Sequence, residues 1–120
     1  MKAIQGIVDL SSAFYGSAVL FAAIDCGVFE KVERGELDAD ARGMRLLADA
    51  CVALGLLEKK DGVYANTPAG KAALVPGGPA DLTRAIRYNR DVYPAWGKLA
   101  EFARTGRPVR ANSASWPHAG

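Results

Sequence analysis

The sequence predicts a mainly α-helical fold with one small β-hairpin. Apolar residues recur three and four positions apart in the stretches 4–32 and 39–54, which is the spacing of amphipathic helices. Further along, Asp61-Gly62 separates two short runs of strand-forming residues, as in a tight hairpin turn. The chain has 120 residues, of which 50% are hydrophobic, so it can build one domain with its own core but not two.

The first helical stretch, residues 4–32, is apolar on nearly every side. Lys2, Asp9 and Asp25 are the only charged residues near it before Glu30. A helix on the surface of a monomer would present a solvated face, so this pattern indicates burial on more than one side. In so small a domain, the second side is expected to be another copy of the chain. The predicted dimer interface is the apolar stripe of this stretch: Ile7, Leu10, Phe14, Ala18, Phe21, Ile24 and Val28.

Helix breakers set the bounds of the two helical stretches. Either Ser11-Ser12 or Gly16-Ser17 can divide the first stretch into two helices, and the sequence does not decide between them. A polar turn containing Gly35 precedes the second helix, which is expected over residues 39–54. Gly55 is its expected C-cap, because glycine adopts the left-handed backbone conformation at little steric cost.

A hairpin and three shorter helices are expected in the second half of the chain. The hairpin joins residues 56–59 to residues 63–65, and a short helix with Pro68 at its first position follows, capped by Asn66 or Thr67. The last two helices are expected over the ranges 80–89 and 92–103, meeting near Asp91 and Pro94. The predicted domain spans residues 1–108, and residues 109–120 are expected to be a disordered tail.

Charge and cysteine content indicate neither a nucleic-acid partner nor a metal site. The 15 Lys+Arg and 13 Asp+Glu residues leave a net charge of +2, spread along the chain. Cys26 and Cys51 lie in apolar helical patterns without a second cysteine or histidine at metal-ligand spacing. We interpret both as small buried hydrophobic residues and predict no metal site.

The sequence contains no recognisable catalytic set. Its single histidine, His118, lies in the predicted tail between Pro117 and Ala119 and has no expected partner. The glycines in residues 76–79 follow no strand and lack the spacing of a phosphate-binding loop. We therefore predict no catalytic residue and no bound cofactor.

Polar residues interrupt the first apolar run and argue against a membrane role. Gly6, Asp9, Ser11 and Ser12 all fall within it, so neither a signal peptide nor a membrane span is expected. A cytoplasmic location is the resulting expectation.

The order helix then hairpin also matches the closing half of a winged helix, so DNA binding is the alternative function. In that interpretation residues 41–54 form the recognition helix and Lys59-Lys60 lies on the wing. The outward face of this helix has Arg42 and Arg45 at one end, followed by Asp49 and small apolar residues. DNA readers place basic and amide side chains along such a face, so nucleic acid is an unlikely partner.

Aromatic side chains are concentrated in the last two predicted helices. Tyr88, Tyr93, Trp96 and Phe102 lie there, with polar residues between them. Aromatic residues at helical spacing most often form plain core. The alternative is a pocket wall, in which an indole or phenol presents a flat apolar face to a planar ligand.

Several segments, taken in order, cover about residues 7–108. They are Leu10 to Ser17, Ala22 to Phe29, Arg42 to Leu47, Ala53 to Leu57, Tyr64 to Pro68, Trp96 to Leu99 and Arg104 to Pro108. No single segment is specific. Their order and spacing resemble the dimerisation domain of S-adenosylmethionine (SAM)-dependent O-methyltransferases, the family that includes caffeic acid and acetylserotonin O-methyltransferases.

The resemblance implies a winged-helix-like dimerisation domain with a small β-hairpin wing, whose first helices interlock with those of a second subunit. It implies that Phe14 and Tyr15 reach toward the partner's acceptor-substrate pocket, whereas Tyr93 and Trp96 line the pocket of their own subunit. SAM is bound in the family by a following Rossmann-like catalytic domain, which the sequence lacks. The chain alone is therefore expected to be an inactive homodimerisation module that meets a small-molecule acceptor only together with that domain.

The sequence departs from the family pattern at two places. The family has a further helix between the equivalents of Gly35 and Leu37, where only Glu36 stands here, so the ordinary packing of Met44 and Leu47 is in doubt. The glycine-rich methyl-donor loop and the catalytic histidine of the second domain are also absent, and His118 does not correspond to that histidine.

Overall fold

The computed structural model describes residues 1–108, and the predicted tail with His118 lies outside them. It confirms a mainly helical chain with one small hairpin. The described elements are α1 Lys2–Ser12, α2 Phe14–Asp25, α3 Val28–Glu33, α4 Arg42–Ala53, β1 Leu57–Lys60, β2 Val63–Asn66, α5 Pro68–Leu74, α6 Thr83–Trp96 and α7 Leu99–Thr105. The chain divides into two compact units, Met1–Thr83 and the residues from Arg84 onward, so one domain over residues 1–108 stays a prediction.

The first helical stretch is divided at Ala13, directly after the two serines. Ser11 Oγ donates a 2.7 Å hydrogen bond to the carbonyl oxygen of Val8, and Ser12 Oγ donates to the same oxygen at 3.3 Å. Such bonds to preceding carbonyls compete with the helical ladder and bend helices. Of the two predicted break points, Ser11-Ser12 is therefore correct, whereas Gly16-Ser17 lies inside α2.

The core of the first unit lies between α2, α3, α4, α5 and the hairpin. Its buried apolar residues are Ala23, Ile24, Val28, Phe29, Val32, Ala48, Cys51, Leu57 and Leu74. Ile24 and Val28, predicted to lie in a dimer interface, are 4% and 0% exposed within the chain itself. They were assigned wrongly because an apolar stripe does not reveal whether it packs on its own chain or on another.

Helix α4 begins later than predicted, at Arg42 rather than Ala39. Asp38 Oδ1 accepts a 3.1 Å hydrogen bond from the Asp40 amide and so stabilises a turn, and the extended conformation of Ala41 delays the helix. Gly55, with φ +77°, ends α4 in the predicted left-handed conformation. No helix stands between α3 and α4, in agreement with the departure from the family pattern.

The hairpin and the short helix after it form as predicted. Asp61 and Gly62 have positive φ angles of 51° and 79°, as a type I′ turn requires, and Lys60 pairs with Val63 across the turn. Thr67, one of the two predicted caps, accepts a 3.1 Å hydrogen bond from the Gly70 amide at the start of α5.

The predicted break near Asp91 and Pro94 is wrong. Helix α6 continues through both residues to Trp96, and Gly97-Lys98 separates it from α7. Pro94 removes only one backbone donor and lies two residues before the end of α6, so the helix tolerates it. Gly106, with φ +68°, ends α7, two residues before the predicted end of the domain at residue 108.

The two cysteines differ in their surroundings. Cys51 is fully buried, and burial raises the pKa of its thiol to about 11. Cys26 is exposed because it is the C-cap of α2, so its predicted burial is wrong.

Candidate functional site

Helix α1 presents an exposed apolar surface. None of its residues is buried, and the exposed fractions of Ile4, Ile7, Val8 and Leu10 are 58%, 69%, 52% and 78%. Contiguous apolar surface of this kind usually marks a place where another molecule binds. On the polar side of α1, Gln5 Nε2 donates a 2.9 Å hydrogen bond to Asp9 Oδ1.

The apolar surface continues across the bend into α2. Phe14 and Tyr15 are exposed, and their ring centroids lie 4.2 Å apart at an interplanar angle of 42°. We call the surface formed by Ile4, Ile7, Val8, Leu10, Phe14 and Tyr15 the α1–α2 face.

The predicted interface residues fall into three groups. Ile7, Leu10 and Phe14 lie on the α1–α2 face, Ala18 and Phe21 are partly buried, and Ile24 and Val28 belong to the core. The exposed apolar residues also include a second row that the predicted interface did not contain, Ile4, Val8 and Tyr15, with helical spacings of four and seven residues. Following only one stripe of the sequence caused the omission.

The same segment also meets the length and composition of a membrane span. The 24-residue segment from Lys2 to Asp25, which joins α1 and α2 across Ala13, is long and apolar enough to meet these criteria despite its polar interruptions. The sequence-based exclusion of a membrane span therefore stays a prediction. An apolar helix that packs on another protein meets the same criteria, so they do not identify what covers the face.

Polar contacts join the outward side of α4 to the hairpin. Asp49 Oδ1 accepts hydrogen bonds from the Tyr64 hydroxyl at 2.5 Å and from Lys59 Nζ at 3.1 Å. These bonds, the Tyr64 bond foremost, hold the pKa of the Asp49 carboxyl below its usual value. Lys59 also lies over the Tyr64 ring, 4.9 Å from its centroid. Asp49 thus forms an ion pair with Lys59, a hairpin residue that would have to contact phosphates if the chain bound DNA.

The aromatic residues of α6 and α7 are mainly exposed. Tyr88 and Trp96 are each 66% exposed, Phe102 is 44% exposed and Tyr93 is 37% exposed. Tyr93 and Trp96 are three residues apart in α6 and therefore neighbours on its surface. Packing in a hydrophobic core therefore does not explain this aromatic cluster within the described residues.

The residues from Met1 to Pro108 contain no cluster of three or more histidine, cysteine or acidic side chains that could hold a metal ion. An open groove lies between the end of α3, the loop before α4 and the hairpin, lined mainly by Val32, Leu37, Ala39, Val63 and Tyr64. The lining is apolar apart from the Tyr64 hydroxyl, which Asp49 already engages. The groove therefore offers no pair of groups for acid–base or nucleophilic chemistry.

Comparisons with known proteins identify relatives of the chain. It is 36% identical to mouse acetylserotonin O-methyltransferase over 125 aligned positions, which cover 91% of the chain and 32% of the relative. It is 35% identical to the 3-hydroxy-5-methyl-1-naphthoate 3-O-methyltransferase of Streptomyces sahachiroi, with 87% of the chain and 33% of the relative covered. The chain thus spans about a third of the length of these relatives. Because the first alignment is longer than the 120-residue chain, the mouse protein has residues within the matched stretch that this chain lacks.

A solved structure shows the same fold. The human N-acetylserotonin methyltransferase, solved in complex with SAM, superposes with a TM-score of 0.72 at 32% identity, covering 89% of this chain and 36% of that one. A family profile described as the O-methyltransferase dimerisation domain matches residues 8–76, more than half of the chain. The profile begins within α1 and includes α2 to α5, the elements that carry most of the α1–α2 face and the core. The chain belongs to the O-methyltransferase dimerisation domain family.

Proposed function

We propose that the chain forms a homodimer in which the α1–α2 face of one copy packs on a second copy. The exposure of this face carries the proposal, since α1 has four large apolar side chains exposed and none buried. Removing such side chains from water contributes about 25 cal/mol per Å² of apolar area, so a partner surface stabilises the arrangement. Membership of a dimerisation family supports another copy of this chain as the partner.

The distribution of charge on α1 is compatible with a self-complementary contact. By helical geometry, Lys2 and Asp9 lie together on one side of α1, away from Ile4 and Ile7. A symmetric dimer brings the same patch of both copies together, so a charge near the two-fold axis would lie close to the same charge of the second copy. The absence of charged residues among the six residues of the α1–α2 face avoids that repulsion.

The experiment is light scattering over a concentration series, with Ile7→Asp as the test variant. Ile7 is 69% exposed, so the change leaves the core intact but places a charge in the proposed interface. Wild type is expected at twice its 12.7 kDa chain mass and Ile7→Asp as a folded monomer. The matched control is Val63→Asp, which alters a residue 68% exposed on the hairpin and should remain dimeric.

Two results would contradict the proposal. One is a wild-type chain that stays monomeric and folded at high concentration. The other is an Ile7→Asp chain that dimerises as strongly as Val63→Asp. Co-sedimentation of wild type with neutral phospholipid vesicles, lost in Ile7→Asp, would instead assign the face to a lipid surface.

We also propose that the aromatic residues contribute to an acceptor pocket only when a catalytic domain is present. Phe14 and Tyr15 would serve the partner's pocket, and Tyr93 and Trp96 the pocket of their own subunit. Their exposed rings support this assignment, because the names of two relatives specify aromatic acceptors, an acetylated serotonin and a naphthoate. We further propose that this chain does not transfer a methyl group by itself.

A further inference from the structure

We propose that α1 is an arm that folds into its helix only when a second copy covers it, so that dimerisation and folding of α1 are coupled. The inference rests on the proposed homodimer and concerns how its affinity is set. Its observational basis is the contrast between α1, which buries no residue, and α2 to α4, which form the core.

The composition of α1 does not favour a helix without tertiary packing. Gly6 lies in its middle, three residues are β-branched, and Asp9, Ser11 and Ser12 are also weak helix formers. The N-cap, Met1, makes no side-chain hydrogen bond, and no acidic residue lies in the first turn. Helices shorter than about 12 residues are marginal in water, and most of their stability in proteins comes from packing an apolar face. The 11 residues of α1 have no such packing within the described chain.

The break between α1 and α2 at Ala13 is the point at which ordering is expected to stop in a monomer. The Ala13 amide bonds the carbonyl oxygen of Leu10, three residues back, at a long 3.4 Å. Ser11 and Ser12 bond preceding carbonyls with their side chains at the same place. Helix α2 is held from its other end by Ala23 and Ile24, so it keeps its structure when α1 unfolds.

The consequence is that the helix propensity of α1 contributes to the dimer affinity. Gly6 is the position to test, because a Cβ added there meets no atom within 4 Å. It lies at the border of the α1–α2 face, four residues after Lys2 and four residues before Leu10. A Gly-to-Ala change in an exposed helix shifts the folding equilibrium by about fivefold. In a symmetric dimer with two arms, Gly6→Ala should lower the Kd roughly 25-fold if both arms fold on association.

The matched control is Gly43→Ala in α4. Gly43 is also exposed and helical and also has open space around an added Cβ, but it belongs to a helix with buried residues. It should raise thermal stability and leave the dimer Kd within about twofold of wild type, since α4 is folded in both states.

Hydrogen exchange gives the second readout. Amides of residues 2–12 in wild type should be protected at concentrations far above the Kd and nearly unprotected far below it, while amides of α4 stay protected in both. Ile7→Asp should show the unprotected pattern at all concentrations. The coupling is overturned if α1 amides are equally protected in monomer and dimer, or if Gly6→Ala and Gly43→Ala have the same Kd. If the chain is monomeric at every concentration and its α1 amides stay unprotected, the proposed homodimer is wrong, whereas the dependence of α1 on a partner surface is retained.

Discussion

At the residue scale, Asp49 shows how one side chain joins two elements and disfavours a function. Its carboxylate accepts hydrogen bonds from Tyr64 and Lys59, which fixes the hairpin against α4. The same contacts leave an acid in the middle of the surface that a DNA-reading helix would use. Because Asp49 is 42% exposed, solvent screens the ion pair and the contribution to stability is modest.

Replacing Asp49 is expected to reduce the pH dependence of stability in acid. The pKa of this carboxyl is held below its usual 3.8, so its stabilising contribution is present above that value and is lost as the pH falls below it. Asp49→Asn should therefore unfold at lower urea concentration than wild type at pH 7, and the difference should shrink toward pH 2. Tyr64→Phe is the companion variant, because it removes the hydrogen bond that lowers the pKa of Asp49 most. A wild-type advantage that is the same at pH 7 and pH 2 would contradict this assignment.

At the element scale, the start of α5 depends on local capping as well as on burial. Thr67 Oγ1 accepts from the Gly70 amide and lies 3.2 Å from the Leu56 carbonyl oxygen, to which its hydroxyl donates. A Cβ on Gly70 would lie only 2.6 Å from that same carbonyl oxygen, so the close packing of α5 on the hairpin requires glycine. Sequence alone limited the cap to Asn66 or Thr67 and placed Pro68 at the first helical position, but the choice of Thr67 and the need for glycine at position 70 follow from the structure.

Removing the cap is expected to cost about 1 kcal/mol of unfolding free energy, the usual value for an N-cap threonine. Thr67→Ala should show this loss in urea denaturation, because the Gly70 amide loses its acceptor in the folded state. Thr67→Ser keeps the hydroxyl and should stay close to wild type. Equal losses in both variants would mean that the methyl group, rather than the cap, provides the stability.

At the scale of the whole molecule, the chain spans about a third of the length of the relatives it matches. Residues 8–76 match a dimerisation profile, and the sequence has no glycine-rich phosphate-binding loop. The described residues include an exposed apolar surface, the α1–α2 face, most of which lies within the matched range.

We expect the purified chain to bind no SAM. Calorimetric titration of SAM into the chain should give only the heat of dilution, because the sequence has no glycine-rich phosphate-binding loop and the groove beside the hairpin is lined mainly by apolar residues. Full-length human N-acetylserotonin methyltransferase, which was solved with SAM, is the positive control. Saturable binding at micromolar SAM would overturn the proposed division of roles.

The sequence by itself determined the elements whose signals are local. The Asp61-Gly62 turn, the Thr67-Pro68 helix start and the left-handed Gly55 each follow from backbone preferences of single residues. The apolar character of residues 4–32 likewise indicated more apolar surface than one side of a core can bury, and Ile4, Ile7 and Leu10 are indeed exposed.

Only the tertiary structure decided how that apolar segment is shared between core and surface. Ile24 and Val28 are core, whereas Ile7 and Leu10 are exposed, although all four lie in one periodic stripe. The bend at Ala13, the exposure of Cys26 and the continuation of α6 through Pro94 were equally undetermined by pattern. The physical reason is that periodicity reports which side of a helix avoids water, while the surface that covers it is supplied by other elements or by another chain.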